Sequence, residues 1–168
     1  MLNMMNMRRG IYPARVGNAQ HKYWRLRIID TLDPNAVAAS KTAGFSLIQF
    51  RQVPLQNVTM TTQGSPSSTG NLSASYTPDL ALNTNNADGW AAPAGAYVGA
   101  AWQFTYTAKQ IVTQVAMKSW STAAESARMP RSWTLEWSDI SLTAGWHILR
   151  TFTDNSSWAN AEVRTYDV

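Results

Sequence analysis

Two tryptophans beside polar loops are the residues of this chain best suited to recognition chemistry. Trp120 precedes a run holding Glu125, Arg128 and Arg131, and Trp158 sits in a run with Asn155 and Asn160. The apolar face of a sugar packs on an indole, while carboxylate, guanidinium and amide groups bond its hydroxyls. Trp120, Glu125, Arg128, Arg131, Asn155 and Trp158 are therefore the expected glycan contacts. The competing reading has each indole capping the core or meeting another subunit. For catalysis the material is thinner. Glu125, Glu136, Asp139 and Asp154 could supply a glycosidase pair, which needs only two carboxylates at a suitable separation. His21 and His147 both fall in strand-like stretches. No nucleophile elbow, His-Glu-x-x-His, P-loop or dinucleotide motif occurs. With no cysteine in the chain, disulfides, thiolate metal sites and Cys nucleophiles are excluded. The expectation is a protein that is not an enzyme.

Charge is unevenly placed. Charged residues are 14% of the chain, against roughly 25% in ordinary domains. Arg8, Arg9, Arg15, Lys22, Arg25 and Arg27 all precede the first acid, Asp30, on a chain whose net charge is +4. Residues 1–20 read as an extended arm, because Gly10, Pro13 and Gly17 interrupt any helix. Its methionines are flexible enough to fill irregular grooves. Met4, Met5, Met7, Arg8, Arg9, Tyr12 and Arg15 are the expected partner contacts of this arm; the alternative is a solvated tail. Nucleic acid is a poorer match, for no basic helix or stacking platform accompanies the charge. No apolar run reaches the length of a membrane span, and the opening stretch lacks the continuous apolar core of a secretion signal.

The elements that must position these residues are strands. His21–Thr31 alternates Trp24, Leu26 and Ile28 with Arg25, Arg27 and Ile29, which is strand periodicity. Asp33-Pro34-Asn35 is turn chemistry. Further strands are expected over Gly44–Val53, Val58–Thr61, Ala96–Tyr106, Gln110–Ser119, Ser132–Trp137, Gly145–Phe152 and Ala161–Val168. The short link after Tyr106 predicts a hairpin between the two central strands. Helix is limited to single turns near residues 36–43, 78–82 and 123–127. Trp90, Trp102, Trp133 and Trp146 are assigned to the core, with Trp137 joining them by alternation. Residues 21–168 thus form one all-β domain behind the arm.

The order of features from Tyr23 to Val168 resembles the discoidin family, also called coagulation factor 5/8 type C. Ala81-Leu82-Asn83-Thr84 leads to Trp90. Gly99-Ala100-Ala101-Trp102-Gln103-Phe104 is followed by the β-branched strand Ile111–Met117. Pro130-Arg131-Ser132-Trp133-Thr134-Leu135-Glu136-Trp137-Ser138-Asp139 comes next, then Trp146. Asn83, Thr84 and Ile140 stand where the family pattern has Asp, Gly and Gly. The resemblance implies an antiparallel jelly-roll β-sandwich of the galactose-binding-like kind, with ligand loops at one end. It also implies a Ca²⁺ site in the turn before Trp90, for which Asn83, Asn85, Asp88 and Glu162 are the matching oxygens. Hard cations take such ligands.

An opening strand like HKYWRLRI ahead of such a jelly roll is also similar to modules of bacteriophage tail and other virion proteins. The implied function is a non-catalytic virion structural protein, tail or tail-fibre associated and assembled in the cytoplasm of a bacterial host. Its partners would be other virion subunits in a homo-oligomeric or multi-copy assembly, and host-surface glycans. The alternatives are a stand-alone carbohydrate-binding module and, further off, a glycan-active enzyme.

Overall fold

The computed structural model describes residues 19–52, 63–85 and 87–168. The arm contacts Met4, Met5, Met7, Arg8, Arg9, Tyr12 and Arg15, and the strand expected over Val58–Thr61, lie outside these residues.

Among the described residues ten strands follow in order: β1 (His21–Thr31), β2 (Gly44–Phe45), β3 (Leu47–Arg51), β4 (Gly64–Ser68), β5 (Trp90–Ala91), β6 (Ala101–Gln110), β7 (Gln114–Lys118), β8 (Pro130–Ser138), β9 (His147–Thr153) and β10 (Val163–Asp167). One sheet has the order β4-β6-β1-β8-β9, a second β10-β7-β3, and β2 pairs with β5 as a short ribbon. Every pairing among the described strands is antiparallel. Helix among the described residues is α1 (Ala123–Ser126) and two 3-10 turns, Ala38–Ser40 and Leu80–Leu82.

β1 holds the centre of the larger sheet. Successive side chains of a strand point to opposite faces, so Trp24, Leu26 and Ile28 are buried while Arg27 and Ile29 are exposed. Leu26 stands opposite Trp102 on β6 and Leu135 on β8. The two sheets meet face to face through aromatic rings. Phe50 on β3 lies 6.4 Å from Trp24 and 5.7 Å, edge-on, from Trp102. At the other flank Tyr166 on β10 stands edge-on to Trp133 at 5.3 Å and to Phe152 at 5.7 Å. The indole N–H groups of Trp24, Trp90 and Trp102 donate to the carbonyls of His21, Gly70 and Pro78. Burial of these rings therefore leaves no cost from those donors.

Several expectations are corrected. The strand expected over 44–53 is two strands. Ser46 breaks it by donating its amide to Lys118 O and its hydroxyl to Ser119 O, so the chain passes from the short ribbon to the three-stranded sheet. β6 and β7 do not form a hairpin. β6 continues to Gln110, and residues 111–113 carry the chain across to the other sheet. Ala96–Ala100 precedes the strand rather than opening it. β4 lies in a stretch expected to be loop; Pro66 is tolerated there because β4 is an edge strand. Trp146 is outside the core. It stacks 4.2 Å above Arg25, on the outer face of the larger sheet, and donates to Leu142 O. Beneath it Arg25 pairs with Glu136, whose other oxygen accepts from Thr134. Glu136 is only 2% exposed, and Gln103 ties the same face to Leu142 O. Trp137 does pack against the core, though only half-buried, and is stacked between His21 and His147 at 3.6 and 4.5 Å.

Gly44 marks the tightest approach. A Cβ there would fall 2.2 Å from Trp90 O and 2.7 Å from the Trp120 ring. Gly44→Ala is expected to lower stability by about 3 kcal/mol, the upper end of ordinary overpacking. Urea unfolding followed by tryptophan fluorescence checks this.

Candidate functional site

At one end of the molecule three loops converge, each closed by its own polar contacts. The first follows β1. The Asp33 carboxylate accepts from the amides of Asn35 and Thr42, and Leu32 N donates to Met129 O. This Asx-Pro turn is the one its residue types predict. The second holds α1. Thr122 caps it by accepting from Glu125 N, and its hydroxyl donates to Glu125 Oε2 at 2.7 Å. Ser126 Oγ donates back to Trp120 O, so one turn of helix is fixed despite its length.

The third loop, between β9 and β10, depends on Arg164. Its guanidinium donates to Asp154 at 2.9 Å and to Glu162 at 2.7 Å, and to the carbonyls of Ser156 and Ser157. It also lies 4.2 Å from the Trp158 ring centroid, a favourable cation–π distance. Asp154 further accepts from Tyr166 Oη and the Ser156 amide. Glu162 Oε2 accepts from Ala159 N. Ala161 adopts a left-handed backbone (φ 55°), and its amide reaches Trp120 O. The Ser119 hydroxyl donates to Ala159 O and accepts from Glu162 N. The second and third loops are thereby stapled together.

Between them lies a cavity of about 340 Å³ lined by Leu32, Pro34, Ala123, Ala127, Asn155, Ser157 and Trp158. Ligand pockets run from roughly 300 to 1,000 Å³, so this one suits a single small ring or group.

The electrostatics favour ionised carboxylates around it. Burial raises the Asp154 carboxyl, but bonds from Arg164, the Ser156 amide and Tyr166 outweigh this and leave it below its ordinary value. Glu162 is lowered by its hydrogen bonds from Arg164 and the Ala159 amide. The Arg164 guanidinium is raised in turn, first by its bond to Glu162. Tyr166 is raised by burial and by Asp154, so its hydroxyl stays a donor.

Of the expected glycan contacts, Asn155 and Trp158 line this cavity. Trp120 is 1% exposed; its ring lies against the Gly44 backbone and edge-on to Tyr76, leaving no face for a ligand. Its burial follows from β7 running straight into the core. Glu125 is held by Thr122 and Tyr76, Arg128 lies beside Tyr76, and Arg131 is paired with Asp30. The lining residues Leu32, Pro34, Ser157, Ala123 and Ala127 were not singled out by sequence, nor was Arg164. The Asp-Pro turn and the Glu162-x-Arg164 spacing were the available signals.

The expected cation ligands divide. Asn83, Asn85 and Asp88 share one turn, but the Asp88 carboxylate accepts from both Asn side chains, and their oxygens accept from the Asn85 and Ala87 amides. Both Glu162 oxygens are engaged by Arg164 and the Ala159 amide. Among the described residues no three His, Cys, Asp or Glu side chains are grouped to hold a metal ion. No described helix is long and apolar enough to cross a membrane.

Arg164→Met is expected to cost about 2 kcal/mol at neutral pH, the scale of hydrogen bonds to charged groups. Asp154 and Glu162 titrate lower folded than unfolded. The stability they contribute is therefore complete above their ordinary values of 3.8 and 4.5 and is lost as pH falls through the lowered folded-state values. The variant should lose most of that acid dependence. Urea midpoints at pH 7 and pH 3, for both proteins, measure it.

Comparison of the chain with protein-family models, with curated proteins and with solved structures finds no match, so the functional reading rests on the site itself.

Proposed function

We propose that the chain is a non-catalytic structural protein of a bacteriophage virion, associated with the tail or its fibres. In this reading a jelly roll of the galactose-binding-like kind is built into the particle by its N-terminal arm, in the host cytoplasm. Its loop-end pocket is turned toward host-surface glycans. The observation that carries the glycan-binding part of this reading is the cavity between the three loops, where an indole, an amide and a hydroxyl line one small space. Sugar recognition uses this combination of ring and short polar groups.

Two features support a jelly roll. The sheets are antiparallel and face each other, and the β6–β7 and β9–β10 links both cross between them. Two support a binding role over turnover. Each carboxylate considered for catalysis has its own partner: Glu125 with Thr122 and Tyr76, Glu136 with Arg25, Asp139 with His21 and Lys109, Asp154 with Arg164. Asp139 and Asp154 are also held below the ordinary carboxylate range, whereas a glycosidase acid needs a raised value.

Deleting residues 1–20 is expected to abolish incorporation into particles while leaving glycan binding intact. On a glycan array, Asn155→Ala should weaken binding about tenfold, equivalent to roughly 1.4 kcal/mol. Unchanged incorporation of the deletion, with an array blank for the whole chain, would contradict the proposal.

A further inference from the structure

The lining of the loop-end cavity is unevenly divided. Leu32, Pro34, Ala123 and Ala127 present carbon, and only Asn155 and Ser157 present polar side chains beside Trp158. Trp158 is itself only 7% exposed, and one region of its indole is taken by Arg164, so it offers the cavity little free ring surface. A hydroxyl pressed against four aliphatic groups loses its water and gains nothing in return. A fully hydroxylated hexose is therefore poorly matched to this space. A better occupant carries a methyl group next to one donor and one acceptor. The Asn155 amide offers both complementary functions, and the Ser157 hydroxyl does so as well.

Resting on the glycan reading above, we infer that the cavity takes the acetamido group of an N-acetylhexosamine. The methyl lies among Leu32, Pro34 and Ala127, and the amide faces Asn155 and Ser157. The rest of the sugar ring extends out of the cavity. A hexose without the acetamido group leaves the aliphatic wall unfilled, so selectivity arises from apolar fit rather than from the count of hydrogen bonds.

The test uses the full chain with ¹³C-labelled alanine methyls, titrated with N-acetylglucosamine, N-acetylgalactosamine, glucose, galactose and N-acetyllysine. The N-acetyl sugars should shift the Ala123 and Ala127 methyls, with the plain hexoses and N-acetyllysine at least tenfold weaker. Ala127→Leu, which fills the cavity, should abolish the shift of the remaining Ala123 methyl while the thermal midpoint holds. Should that variant unfold, Asn155→Ala at an exposed position serves instead and should weaken the N-acetyl sugars at least tenfold. Equal binding of glucose overturns the acetamido assignment while leaving glycan binding standing. Equal binding of N-acetyllysine overturns the hexosamine as its source. No shift with any sugar overturns both the inference and the reading beneath it.

Discussion

The contact on which the rest of this structure depends is the aromatic seam between the two sheets. Phe50 meets Trp24 and Trp102, and Tyr166 meets Trp133 and Phe152. The ion pair between Arg164 of β10 and Asp154 beyond β9 links the sheets only at the loop end, and with no cysteine in the chain no disulfide binds one sheet to the other. Burial of large apolar side chains does, at about 1.5–3 kcal/mol for each one fully removed from water. Once the seam is set, the crossing links after β6 and β9 follow, because each must carry the chain from one layer to the other. The loops then emerge from fixed strand ends.

Two polar clusters complete the scaffold in different ways. Arg25 and Glu136 lie on the outer face under Trp146. Such a pair loses hydration that its attraction only offsets, so its value lies in anchoring the segment above it more than in net stability. Arg164 sits at the loop end. There, two carboxylates, two carbonyls and one indole share a single guanidinium. Its planar fork can meet several acceptors at once, which a lysine could not reproduce. It makes the wall of the pocket part of the scaffold.

Much of the fold was legible because strand alternation is a strong signal. β1 has the expected bounds, and Trp90, Trp102 and Trp133 are buried as expected. What failed was pairing. The pattern of β6 and β7 identifies two strands but carries no record of which sheet each joins. β4 was missed because Gly64–Ser68 has no apolar face; it is recruited through its backbone against β6. In the site, Trp120 and Trp158 look alike in sequence, each beside a polar loop. Both rings are buried, Trp120 at 1% and Trp158 at 7% exposed, and only Trp158 also lines the cavity, because the Gly44 backbone and Tyr76 enclose Trp120. Leu32 and Ala127 could not be singled out, because an aliphatic residue lining a cavity reads like any core residue. Trp146 misled for the converse reason: its partner is a cation on the outer face of the sheet, away from the core.

The central claim is that Arg164 and the Asp154 and Glu162 carboxylates hold the 154–162 loop in one form in the free protein. Hydrogen exchange on the free protein tests it most directly. The amides of Ser156, Ala159 and Glu162 donate to Asp154, Glu162 and Ser119 side chains. The account predicts that they exchange as slowly as the paired amides of β10. Exchange at the rate of an open loop, with β10 itself protected, would contradict it.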